Sequence, residues 1–203
     1  MDNPKADKWN GIFSKGTAYR ELNEVFILDL LDAFAKISGR KPSAVVDLGC
    51  GSGDTLARFT QLGIPVTGVD ISNIAIEKAK ERLKAVDHDA ECILHDLDNI
   101  ASLKLNAPEG ALWMCKLVLA FISDRRAFLE NVHVKMKSGD QFLIMTPVLH
   151  DEVNYTKEDK PGIAIPIKEI ESLLTDIFGS FMIFSNEYTG ERMHVISYFV
   201  GKK

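Results

Sequence analysis

The chain has 203 residues, 46% of them hydrophobic, and its 29 acids exceed its 24 lysines and arginines to give a formal charge of −5. That length and balance suit one soluble globular domain. An acidic chain without a basic stripe speaks against nucleic acid or a membrane surface as partner. Cys50, Cys92 and Cys115 are odd in number and lack C-x-x-C spacing, so free buried thiols in a reducing compartment are expected, with no disulfide frame and no metal site. The N-terminus is polar and charged through Lys8, which does not fit a signal peptide, and the longest apolar run, 111–122, is too short to span a bilayer and is broken by Lys116. A cytoplasmic location is the expectation.

In chain order, residues 1–10 are polar and expected to be loose. Trp9, Phe13 and Tyr19 precede an apolar helix predicted over Arg20–Ile37, stopped by Ser38-Gly39 and Pro42. These aromatics either staple that helix onto the body or lie, as part of 9–20, over a ligand. Next comes Ala44-Val45-Val46-Asp47-Leu48-Gly49-Cys50-Gly51-Ser52-Gly53-Asp54, which reads as a buried strand turning sharply into a helix. Glycine tolerates positive φ and lets backbone approach a ligand closely, and a helix opening at Asp54 aims unpaired amides at the same spot. The spacing is not the dinucleotide G-x-G-x-x-G, because Asp54 stands where the third glycine belongs. After a short helix, Pro65–Asp70 is a β-rich run ending in a carboxylate. A right-handed crossover sets it beside the first strand, with Asp70 placed to accept from both hydroxyls of a ribose.

The pattern D-x-G-x-G-x-G at Asp47, Gly49, Gly51 and Gly53, followed by Asp70, resembles the first motifs of the class I S-adenosylmethionine-dependent methyltransferases. The resemblance covers nearly everything from about Lys41 to the end. It implies an α/β, Rossmann-like, seven-stranded and mostly parallel sheet, with helices on both faces and an antiparallel strand pair at one edge. Within one domain overall, residues 1–40 are then an N-terminal helical cap or lid, and 41–203 bind S-adenosylmethionine, leaving S-adenosylhomocysteine as product. The cofactor set it implies is Asp47, Gly49, Cys50, Gly51, Gly53, Asp70, Ile71, Asp96, Leu97 and Lys116. Ile71 matches the family position against adenine, and Asp96 the acid that accepts from the adenine amine. An acid beside the glycines also suits a ligand bearing an ammonium and a sulfonium.

Beyond Asp70, Ser72 caps a predicted helix carrying Ile76, Ala79 and Leu83 on one face. Strand Ala90–Leu94 leads to His95, expected at the surface, and to Asp96, for which a turn-capping role is the alternative. A buried strand, Ala111–Cys115, runs into Lys116. A lysine there needs a counter-charge, either Asp47 or Asp96, or else it anchors an anionic acceptor. Ala120 and Phe121 stand where the family often carries two histidines, and the N/D-P-P-Y/F sequence of exocyclic-amine methylation is absent. A helix over Ser123–Lys137, a strand over Gln141–Thr146 with Pro147 at its end, and a long polar loop over His150–Gly162 follow. A helix starting near Ile167 and the strands Phe181–Glu187 and His194–Val200 complete the chain. His150 and His194 are candidate bases, and Tyr155 and Tyr188 candidates to orient an acceptor; Lys116, His150 and Tyr155 form the acceptor-side set. The expected function is in-line methyl transfer to a small-molecule acceptor by a monomer or homodimer. RNA or protein methylation and a non-catalytic cofactor-binding role are the alternatives.

Overall fold

The computed structural model describes residues 3–16, 21–84, 90–149, 163–188 and 194–202, with backbone alone for 186–188. Its first element corrects an expectation. Residues 4–14 form a helix, α1 (Pro4–Ser14), in place of a loose start. Asn3 Oδ1 accepts from the amides of Lys5 and Ala6 at 3.1 and 3.2 Å, and proline takes the first turn, where no amide is needed. This start signal outweighs the polarity of the segment. Helix α2 (Glu24–Ser38) begins at Glu24 rather than Arg20, because Asn23 Oδ1 caps it through the Phe26 amide at 2.7 Å, and Gly39 at φ 72° ends it.

The remaining elements are β1 (Val45–Leu48), α3 (Asp54–Gln61), β2 (Val66–Asp70), α4 (Asn73–Lys84), β3 (Glu91–Leu94), β4 (Leu112–Lys116), α5 (Arg125–Lys135), β5 (Gln141–Leu149), β6 (Ile165–Pro166), α6 (Ile167–Phe178), β7 (Met182–Tyr188) and β8 (His194–Gly201). Short 3₁₀ turns at Leu97–Ser102 and Leu119–Phe121 follow β3 and β4. The sheet runs β3-β2-β1-β4-β5-β8-β7, a path of seven strands as expected in number, and the two-residue β6 pairs with β5 as an eighth strand. The first five strands are parallel, while β8 is antiparallel to both β5 and β7.

Strand β5 does not stop before Pro147 as expected; it continues to Leu149, pairing Pro147 with Val195. The reason is local. Leu117 N–H donates to Met145 O, so Met145 and, two residues on, Pro147 turn their backbone groups to the β4 side, where β4 has already ended at Lys116. The proline therefore removes no ladder donor.

Alternate residues of the central strands feed two cores. Val46, Trp113, Cys115, Phe142 and Ile144 pack with α5 and α6 on one face. Val45, Leu112, Met114, Leu143 and Met145 pack with α2, α3 and α4 on the other. Strands buried on both faces in this way leave only their carboxyl ends for polar chemistry. All three cysteines are free, and Cys50 and Cys115 are buried. Among the described residues no helix is long and apolar enough to cross a membrane, and no histidine, cysteine and carboxylate cluster is arranged to hold a metal.

Candidate functional site

Between β1 and α3 the backbone makes a tight bend in which Gly49, Gly51 and Gly53 have φ of 89°, 53° and 79°. Side chains rarely adopt that region, so the bend requires glycine at these positions. The amides of Gly49 and Cys50 both donate to Val69 O, at 2.7 and 3.0 Å, fastening the bend to the end of β2. Protein also crowds the glycines. A Cβ on Gly49 would overlap Val118, one on Gly51 would lie 3.3 Å from Phe13, and one on Gly53 would lie 2.9 Å from Ala79.

Asp70 ends β2 beside this bend. Its Oδ2 accepts from Gly51 N–H and its Oδ1 from Ser72 N–H, both at 2.9 Å. Burial raises its pKa, and these amide bonds work against the rise. Asp47, in β1 beneath the bend, is 1% exposed and its Oδ1 has no hydrogen-bond partner among the described residues. Burial pushes its carboxyl up to about 6, the Lys116 charge opposing and the Asp70 charge adding to the rise. On the β3 side, Asp96 caps the following turn through the Asp98 amide at 3.0 Å, while its other oxygen accepts from Asn3 Nδ2 at 3.0 Å. Burial pushes the Asp98 carboxyl up, but bonds from Lys5 at 2.7 Å and from the Ser123 amide and hydroxyl at 2.9 Å outweigh it and hold it below the usual range.

These groups surround one cleft at the carboxyl ends of the strands, about 820 Å³ counting its open mouth. Of the residues singled out from sequence, Gly49, Cys50, Gly51, Asp70, Ile71, Asp96, Leu97 and Lys116 line it. Asp47 and Gly53 do not reach its wall: Asp47 lies under the bend, and Gly53 lies against α4. Helix α1 forms one side, contributing Lys5, Trp9 and Phe13, with Trp9 edge-on to Phe121 at 4.9 Å. It is tied across the cleft from Asn3 on Asp96 to Asn10, which accepts from Ser72 Oγ at 2.7 Å, and to Phe13 O, which accepts from Lys78 at 2.6 Å. Trp9 and Phe13 thus face the cleft instead of stapling α2. His194 opens β8 opposite Tyr188 and is not part of the lining. His95 instead borders a separate hollow and contacts Asn99 O. His150 and Tyr155 lie outside the described residues.

Residues 40–183 match the family described as "Methyltransferase domain". The chain belongs to that family. Its fold and family make it a class I S-adenosylmethionine-dependent methyltransferase domain. It is 29% identical over 114 residues to nodulation protein S of Azorhizobium caulinodans, covering 55% of this chain and 52% of that protein. The chain therefore spans about half the length of that curated relative. Among solved structures, TehB from Haemophilus influenzae superposes with a TM-score of 0.68 at 20% identity, covering 96% of this chain and 67% of TehB. The plantazolicin methyltransferase BamL, solved with a desmethyl analogue and S-adenosylhomocysteine, gives 0.65 at 16%, covering 87% and 84%. At those identities the two likenesses speak to the fold.

The methyltransferase domain fits its family's cofactor on observations of its own. Asp47 Oδ1, without a hydrogen-bond partner among the described residues, lies buried under the glycine bend and puts negative charge behind it, which suits a cationic ligand. Each oxygen of Asp70 holds one amide and keeps a lone pair for a ribose hydroxyl. Several lining residues escaped the sequence reading. Asn3-Pro4 was a legible helix start, and recognising it would have brought Lys5 into the site. Leu117 carried no signal, yet its φ of 60° is the one positive value of a non-glycine among the described residues. That strained residue turns the chain after Lys116 so that Val118 meets Gly49.

Proposed function

We propose that the protein transfers the methyl group of S-adenosylmethionine to a small anionic acceptor whose charge is met by Lys116. The observation that carries this reading is the convergence of Gly51, Asp70, Ile71, Asp96 and Lys116 on one cleft. In it, Asp70 accepts from the ribose, Ile71 packs on adenine, Asp96 accepts from its amine, and Asp47 supplies negative charge beneath the cationic end. When bound, S-adenosylmethionine supplies a methyl group already activated by its sulfonium leaving group.

The protein's own task is placement. Holding nucleophile and methyl carbon in line at about 3–3.5 Å removes roughly 7–11 kcal/mol of barrier. Trp9, Phe13 and Phe121 keep water from the cleft and offer aromatic faces to positive charge, worth about 0.5–2 kcal/mol. Helix α1 acts as a lid, since its two ends are tied to opposite sides of the cleft. The lining has two lysines, Lys5 and Lys116, against Asp54, Asp70 and Asp96, which does not make the basic groove an RNA substrate needs.

Calorimetric titration with S-adenosylmethionine and S-adenosylhomocysteine, followed by methyl-release assays on small thiols, carboxylates and their neutral analogues, tests the reading. Binding of both cofactors and turnover of an anionic acceptor are expected. Lys116→Met should raise KM for that acceptor about tenfold or more while sparing a neutral one, the loss of one charge-assisted contact. Unchanged turnover would return Lys116 to a purely structural partnership with Asp47.

A further inference from the structure

Helix α4 grips the glycine bend from behind. Ala79 is small enough to let Gly53 lie against the helix, and Arg82 follows one turn later on the same face. Arg82 Nη1 pairs with Asp54 Oδ1 at 2.8 Å, and its Nε donates to the Ser52 carbonyl at 3.0 Å. Ser52 Oγ closes the ring by donating to Asp54 Oδ2 at 2.8 Å. Ser52 and Asp54 line the cleft and Arg82 does not. A side chain outside the cavity therefore holds a backbone carbonyl and a carboxylate that border it.

The position of this ring along the cleft decides what it serves. Asp96 and Ile71 lie at the adenine end and Asp70 at the ribose, so Ser52 and Asp54, beyond Gly51 on the bend, meet the part of the cofactor beyond the ribose. We propose that Arg82 is a positioning residue for the amino-acid end of S-adenosylmethionine, an inference that rests on the cofactor reading above. It works in two ways. The guanidinium neutralises Asp54, whose side chain is only 17% exposed, so that no uncompensated carboxylate confronts the α-carboxylate of the ligand. It also pins the Ser52–Gly53 peptide, which glycine at φ 79° would otherwise leave free to rotate.

A residue that merely fastened α4 to α3 would affect every ligand alike. The test compares two ligands by calorimetry: S-adenosylhomocysteine, which has the amino-acid end, and 5′-methylthioadenosine, which lacks it but shares the nucleoside and thioether. Arg82→Gln is expected to weaken the first about tenfold, the worth of one charge-assisted bond, and to leave the second unchanged. Removing the acid as well, in Arg82→Gln/Asp54→Asn, is expected to recover part of the affinity for S-adenosylhomocysteine, the share lost to the uncompensated charge, while the unpinned Ser52–Gly53 peptide keeps the rest lost. Equal weakening of both ligands, or of neither, overturns the proposal. Should Arg82→Gln melt early, Arg82→Lys, which keeps the charge but not the two-pronged grip, is read by the same ratio. Wild-type protein that binds neither ligand would instead refute the cofactor reading, and this inference with it.

Discussion

Asp47 shows how much a single side chain can set. Its carboxyl, buried under the bend, titrates near 6 instead of 3.8 chiefly because burial disfavours the charged form. A raised native pKa means that the folded chain holds this proton more tightly than the unfolded one. The associated stability is complete below the unfolded value and is lost as pH climbs through the folded one, with at most about 3 kcal/mol at stake. Asp47→Asn should abolish that slope. Denaturant titrations at about pH 4.5 and 7.5 should show wild type losing ground to the variant between the two, whereas parallel behaviour would mean that Asp47 titrates as an exposed acid. The residue itself was legible, because an acid two places before three spaced glycines is a pattern. Its unmet Oδ1 was not, since that depends on Gly68 and Met114 flanking it in the sheet.

Among the elements, α1 departs furthest from expectation. Composition hid it, because Lys5, Asp7 and Lys8 look like a solvated tail; only the cap at Asn3-Pro4 marks a helix. Once formed, it bridges the cleft through Asn3, Lys5, Asn10 and Phe13, all contacts to residues far along the chain. Deleting residues 1–14 should leave the sheet folded but speed release of S-adenosylhomocysteine about tenfold or more, because bonds worth about 1 kcal/mol each no longer have to open. Stopped-flow dissociation reads this directly, and an unchanged off-rate would show that α1 is no lid. By contrast α4 and α6 were readable in outline from apolar periods decided by burial on a single face, and α3 from the length of chain between the glycine bend and β2.

Across the whole molecule the two ends of the sheet divide the labour. At the carboxyl ends lies the cleft. At the opposite end the fully buried Asp140 accepts from the amides of Gly110, Ala111 and Lys137 and from Trp113 Nε1, at 2.8–2.9 Å. Asp140→Ala would strand four donors and should cost about 4 kcal/mol or more, lowering Tm by roughly 10 °C. Cofactor affinity measured well below the melt should stay within about twofold, because nothing in the cleft depends on that corner. A large change in affinity would contradict the separation. The parallel character of the sheet and the placing of β2 beside β1 were legible from βαβ alternation, whereas the full strand order and the extension of β5 past Pro147 were not. That extension required knowing where β4 ends.

The placement of Trp9 against Phe121 at the mouth of the cleft also supplies an optical reporter. The chain has two tryptophans, and the other, Trp113, is sealed in the core with its indole nitrogen bonded to Asp140. Changes in ultraviolet emission on ligand arrival can therefore be assigned to Trp9 over a constant background from Trp113, without attaching a dye.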